Sequence, residues 1–155
     1  METVTLTPIG HVRNSVVSPV DSGWATVESR IVLEPQWAGA LDGLGDFSHV
    51  QIVTYLHKIA AEDLAVPAQR RPRGRADMPL LGVFAQRARV RPNPIGLTAC
   101  AIVSVGRTEL VVLGLDAIDG TPVLDIKPYV PVFDRVESPV VPAWTKQLFE
   151  GYLWE

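Results

Sequence analysis

The sequence comprises 155 residues, 47% hydrophobic and 20% charged, which suits one folded domain with a real core and excludes intrinsic disorder. A formal net charge of −3 excludes a uniformly basic nucleic-acid binder, so an anion site would have to come from local clustering of charge. One cysteine excludes an intrachain disulfide, the first residues lack a signal-length apolar stretch, and no run approaches the roughly 18 apolar residues of a membrane helix; a cytoplasmic protein is expected.

The chain carries no repeats, and its 13 prolines and 12 glycines cut it into short pieces, most of which read as strands. Thr3 to Arg13 forms a first predicted strand, with Pro8 marking an edge or a bulge. In Trp24 to Leu33 the apolar Val27, Ile31 and Leu33 alternate with Glu28 and Arg30. Pro35 to Leu44 suits a short helix with proline in its first turn. Phe47 to Ile59 is rich in β-formers and reads as one strand, on which His49 and His57 share a face.

Residues 60 to 79 form a polar, proline-broken loop, long enough to suggest a function. Leu80 to Ala85 is a short strand. Ile95 to Val105 and Glu109 to Ile118 are apolar runs joined by Gly106-Arg107-Thr108, a hairpin signal. Asp119-Gly120-Thr121-Pro122 is a turn, and Val123 to Tyr129 alternates again, with Asp125, Lys127 and Tyr129 on one face. Pro142 to Trp154 has helical spacing, with Trp144, Leu148, Tyr152 and Leu153 along one side. Many short strands and few helices favour a closed or folded sheet over a doubly wound fold.

Several groupings could carry chemistry. Arg70, Arg71, Arg73, Arg75, Arg87, Arg89 and Arg91 supply half of the 14 basic residues, with Asp77 the one acid among them. Such a segment suits a phosphate backbone, and a solvated loop is the bland alternative. In Arg91-Pro92-Asn93-Pro94-Ile95-Gly96, each proline pushes the residue before it to extended backbone, so a stiff loop presents Arg91 and Asn93 in fixed directions. Asp116 and Asp119 flank a strand end, although Asp119-Gly120 is also ordinary turn chemistry. Two histidines with no third ligand and no cysteine pair make a poor metal site, so none is expected. Cys100, inside the apolar run TACAIV, reads as a small buried residue.

Four stretches together resemble the TrmO/TsaA/YaeB-like family: PIGHVR (Pro8 to Arg13), FSHVQIVTYLH (Phe47 to His57), GVFAQRARVRPNPIGLT (Gly82 to Thr98) and LDAIDGTPVLDIKPYVP (Leu115 to Pro131). They occur in the family's order and cover most of the chain up to Pro131. The resemblance implies a mainly β, single-domain β-barrel-like fold with a long loop and a short C-terminal helix. Its core would span residues 3–131 of a domain 1–155, with a helical tail at 142–154. It also implies S-adenosylmethionine bound at or near a homodimer interface, and methylation of the exocyclic nitrogen of threonylcarbamoyladenosine beside the tRNA anticodon.

By motif position the resemblance assigns cofactor contacts to His57, Lys58, Arg87 and Leu97, and to Asp116, Ala117, Ile118 and Asp119. Pro19, Val20 and Asp21 occupy a further contact position, where the letters match the family poorly. The acceptor side would be lined by Asn93, Lys127 and Tyr129. Longer bacterial members carry an additional C-terminal domain, whereas this sequence ends after VPAWTKQLFEGYLWE. The tRNA contacts would then fall to Arg70, Arg71, Arg73, Arg75, Arg89 and Arg91. Two other readings stay open: a methyltransferase for another RNA or a small molecule, and a non-enzymatic dimer that senses the cofactor.

Overall fold

A computed structural model describes residues 2–59 and 65–153. Six strands close into an antiparallel barrel: β1 (Gly10–Arg13), β2 (Glu28–Leu33), β3 (His49–Tyr55), β6 (Ile95–Val105), β7 (Glu109–Leu113) and β8 (Pro122–Pro128). Around the barrel they run β1-β2-β7-β6-β3-β8, with β8 pairing back to β1. The two-residue strands β4 (Gln69–Arg70) and β5 (Leu81–Gly82) pair with each other outside it. Two short helices follow, α1 (Pro131–Asp134) and α2 (Ala143–Leu148). Among the described residues no helix is long and apolar enough to cross a membrane.

Alternation fills the barrel. Val12, Ile31, Leu33, Val50, Ile52, Cys100, Leu110, Val112 and Val123 form one inward cluster, while Glu28 and Arg30 of β2 face solvent. Each Val, Leu or Ile side chain among them taken from water contributes about 1.5–3 kcal/mol. Register shifts at Val53/Thr54 and Ile102/Ser104 mark bulges, which supply the local bend that closing a sheet requires. The first bulge also flips the parity of β8. Val123 points inward before it, and after it Ile126 packs on the core while Asp125 pairs with the exposed Lys127 at 2.7 Å on the outer face.

The two barrel ends differ. At one end the 35–46 segment inserts Leu41 and Leu44 into the core, and Gly39 N–H donates to the Arg107 carbonyl in the β6–β7 hairpin. At the other end β3, β7 and β1 finish while β6, β2 and β8 begin, and their connections surround an open cleft.

The observed elements are shorter than the sequence patterns suggest. Pro8 has no N–H to donate, and β1 begins after it, inside the closed barrel and not at an edge. The expected helix over Pro35 to Leu44 is a set of 3-10 turns instead, because Gly39 takes a left-handed backbone (φ 87°) and breaks it. The strand expected over Phe47 to Ile59 stops at Tyr55, whose partner Ile95 follows Pro94, again a residue without a donor. His57 therefore leaves the strand and does not share a face with His49. The run Glu109 to Ile118 is strand only to Leu113, and Leu80 to Ala85 is strand only at Leu81–Gly82. Helical structure in the tail ends at Leu148. Residues 60–64 of the long predicted loop and Trp154 of the predicted helix lie outside the described residues.

Candidate functional site

The cleft at the open end of the barrel has a volume of about 710 Å3. Its floor is the segment after β7, where Asp116, Ala117 and Ile118 face inward. Asn14, just past β1, holds this segment: its Nδ2 donates to the Ala117 carbonyl at 2.8 Å and to Ser29 Oγ at 2.9 Å. The buried Thr121 hydroxyl donates to the Ile118 carbonyl at 2.7 Å. Asp119 points the other way. It accepts from the Asn14 N–H at 3.2 Å and pairs with Arg13 at 3.5 Å, so it braces the floor and does not line the cleft.

Leu56, His57 and Lys58 supply a second wall where β3 ends, beside Gly96 and Leu97 at the start of β6. Lys58 Nζ donates to the Val17 carbonyl at 2.9 Å, Trp24 Nε1 donates to Val20 O at 3.3 Å, and Arg73 donates to Asp21 O at 3.0 Å. The Lys58 and Arg73 bonds hold the connection between β1 and β2 against the cleft, and the Trp24 bond fastens that connection within itself, with Pro19, Val20 and Asp21 on the wall. Arg87 Nη2 donates to the Leu97 carbonyl at 2.6 Å, which leaves the Leu97 side chain facing the opening.

Charge in the cleft differs from that of the whole chain. Lys58, Arg70, Arg73, Arg87, Arg89 and Arg91 line it, against Asp21 and Asp116. The arginine segment is thus mostly a cleft wall, and much of it is structural. Arg91 donates to the Gln86 and Val83 carbonyls at 2.5 and 3.5 Å. Arg71 donates to the Met78 carbonyl and Arg75 forms a paired contact with Asp77; neither lines the cleft. Phe84 is 76% exposed at the rim, with the Arg91 guanidinium 5.9 Å from its ring centroid.

Two buried polar atoms of cleft residues, His57 Nδ1 and Gln86 Oε1, have no hydrogen-bond partner among the described residues. A buried polar atom left unpaired is costly, so these are places where a ligand or water would be held. Burial, reinforced by the Lys58 charge, holds the His57 imidazole below its usual basicity. Burial pushes Asp116 above the usual carboxylate range, opposed by a hydrogen bond from Tyr152 and by the charges of Arg87 and Arg73. Cys100 lies in the barrel interior, where burial and the Asp116 charge push its thiol up to about 12. It is no nucleophile at neutral pH.

The structure therefore brings together Pro19, Val20, Asp21, His57, Lys58, Arg87, Leu97, Asp116, Ala117 and Ile118. Asn93, Lys127 and Tyr129 stand apart from this cleft: Asn93 is exposed in the proline loop, Lys127 pairs with Asp125, and the Tyr129 ring meets His49 edge-on at 6.4 Å. Sequence reasoning missed Trp144, Leu148, Phe149 and Tyr152 as cleft residues. The helical spacing of Trp144, Leu148 and Tyr152 was visible, but nothing local told which surface they cover.

A family model described as the tRNA-methyltransferase O N-terminal domain matches residues 12–135. The chain belongs to the TrmO family. A relative from Methanothermobacter thermautotrophicus, called a probable S-adenosyl-L-methionine-binding protein, is 38% identical over 130 residues, spanning 81% of this chain and 90% of that protein. The human tRNA (adenine(37)-N6)-methyltransferase is 38% identical over 116 residues, which is 75% of this chain and 25% of the human one. A crystal structure of TrmO from Pseudomonas aeruginosa superposes with a TM-score of 0.75 at 30% identity, over 93% of this chain. This chain spans 62% of that solved TrmO chain. The barrel is the shared TrmO fold.

Proposed function

We propose that the cleft binds S-adenosylmethionine and that the protein is an S-adenosylmethionine-dependent methyltransferase. Its acceptor would be the exocyclic nitrogen of threonylcarbamoyladenosine beside a tRNA anticodon. One observation carries this reading. Segments far apart in the chain, at residues 19–21, 57–58, 87, 97 and 116–118, converge on a single cleft that is positively charged although the chain is acidic.

The residues present fit the cofactor. Asp116 and Asp21 accept from ribose hydroxyls or an ammonium, and Arg87 suits a carboxylate. His57 Nδ1 and Gln86 Oε1, which have no partner among the described residues, offer further polar contacts, and Leu97, Ala117 and Ile118 give apolar ones. Bound S-adenosylmethionine supplies a methyl group already activated by its sulfonium. What remains for the protein is to align the acceptor nitrogen with that methyl and to let the nitrogen's proton leave. Arg70, Arg89 and Arg91 at the cleft, beside the exposed Phe84, suit a phosphate backbone and an unstacked base. The same proposal places the protein in the cytoplasm, where tRNA is.

A homodimer is part of the reading. The exposed Val132, Phe133, Val136, Val140 and Val141 follow one another after β8 and support a covering partner copy. In such a dimer Asn93, Lys127 and Tyr129 would serve the acceptor side only by reaching the other copy's cleft.

The test is to incubate the protein with methyl-labelled S-adenosylmethionine and tRNA that carries threonylcarbamoyladenosine. Label in the tRNA is expected. Cofactor binding without transfer to any RNA would favour the second reading, a binding protein without turnover, which the name of the Methanothermobacter relative also suits.

A further inference from the structure

The family match ends at residue 135, yet one wall of the cleft lies beyond it. α2 buries Leu148, and the turn after it brings Phe149 and Tyr152 to the opening, their rings edge to face at 5.6 Å. Tyr152 Oη donates to Asp116 Oδ2 at 2.6 Å, across 36 residues. Behind the ring, the Arg73 guanidinium lies 5.4 Å from the Tyr152 centroid and 6.0 Å from that of Phe149. Arg73 also pairs with the Asp21 carboxylate at 3.5 Å. Its backbone is left-handed (φ 51°), which is uncommon for a residue with a Cβ. The contacts join three stretches of chain, around residues 21, 73 and 152, over one carboxylate.

We infer that Tyr152 is a positioning residue of the cleft: its hydroxyl holds one oxygen of the Asp116 carboxylate, so that the other is presented to the cofactor. The inference rests on the cofactor reading above. The tail segment is then part of the binding site.

The physical argument has two parts. A carboxylate in a partly buried cleft favours its neutral form unless donors hold it, and a neutral carboxyl is a poor partner for an ammonium. Tyr152 is the donor in direct contact. Among the other groups facing Asp116, Arg73 and Arg87 favour ionisation through their charge, and Cys100 below it stays neutral. Asp21, which faces Tyr152, is engaged by Arg73. Secondly, the ring stacked against Arg73 and Phe149 fixes where the hydroxyl sits, so its loss would free the carboxylate to rotate.

The decisive variant is Tyr152→Phe, which keeps the ring and its stacking and removes only the donor. Two measurements are made on the full chain, wild type and variant. One is the titration of the Asp116 side-chain carboxyl by 13C NMR without ligand. The other is S-adenosylmethionine affinity by calorimetry from pH 5 to 8, with thermal melting to show that both proteins are folded. The expected results are an Asp116 midpoint raised in the variant and an affinity about tenfold weaker, with the loss on acidification starting at higher pH. An unchanged midpoint overturns the contact, whatever the cofactor does. A raised midpoint with equal affinities at every pH overturns the positioning role. A midpoint raised in the variant, with a wild type that gives no heat with S-adenosylmethionine, overturns the cofactor reading and, with it, the role assigned to Tyr152.

Discussion

The Asn14 side-chain amide donates to the Ala117 carbonyl at 2.8 Å, tying the residue after β1 to the floor of the cleft 103 positions later. The same amide donates to Ser29 Oγ inside the barrel, and Asn14 Oδ1 accepts from the Val16 N–H at 3.0 Å. One side chain thus satisfies groups on three segments that meet beneath Asp116. Asn14→Ala would leave the buried Ser29 hydroxyl and the Ala117 carbonyl without this donor. The expected cost is about 1–3 kcal/mol of stability, read as a lower urea midpoint with an unchanged slope. S-adenosylmethionine affinity should fall as well, since the floor loses its anchor.

Gly96 faces Thr54 across the β3–β6 ladder with no room for a side chain. A Cβ there would fall 2.4 Å from Thr54 Oγ1 and 3.2 Å from Leu56 Cδ2. Thr54 is buried and, being β-branched, stiff at χ1. Gly96→Ala should therefore destabilise by about 1–3 kcal/mol. Thr54→Ala in the same chain should recover part of that loss. If the double variant is as unstable as the sum of the singles in thermal melts, the contact is not the cause.

His57 carries a pH prediction whose sign follows from its environment. Burial, with the neighbouring Lys58 charge behind it, lowers its folded pKa below the ordinary 6.5. The folded state then binds protons less readily than the unfolded chain. His57 costs no stability above the ordinary value, and stability is lost as pH falls from there toward the folded value. A 13C or 15N titration should find the His57 midpoint below that of an unstructured histidine. In His57→Gln this part of the acid destabilisation should vanish. A midpoint at or above the ordinary value would contradict the buried setting of the imidazole beside Lys58.

Arg89 and Arg70 line the cleft and, among the described residues, enter no ion pair, unlike Arg73 and Arg75. If they meet phosphates, each alanine substitution should weaken tRNA binding and flatten the plot of log K against log salt by about 0.7–0.9. Arg75→Ala, whose partner is Asp77 and which lies off the cleft, should leave the slope unchanged. Equal slopes in all the variants would remove the arginine rim as an RNA contact.

How much of this was legible beforehand depends on the range of the interaction that decides it. The two long β runs show the contrast. Ile95 to Val105 is a strand from end to end, as its composition indicates. Phe47 to Ile59 is cut at Tyr55, because the partner strand opens after Pro94 and offers no further donor. Local composition cannot see the other strand's proline. The bulge that places Asp125 and Lys127 outside while Val123 points inside is likewise a property of the β3–β8 pair and of neither strand alone.

The sequence by itself determined the mainly β class, the hairpin at Gly106 to Thr108, the buried Cys100 and the family, because these rest on residue type and on motifs read within short windows. Only the tertiary structure decided which charges face one another. It drew Pro19 to Asp21 onto the cleft through Lys58 and Arg73, and turned Asp119 away to brace Asn14. It left Lys127 and Tyr129 on the outer surface and laid Tyr152 against Asp116. Closing the barrel fixes these pairings: once β8 meets β1, residues a hundred positions apart share one rim, and no periodicity along the chain records that distance.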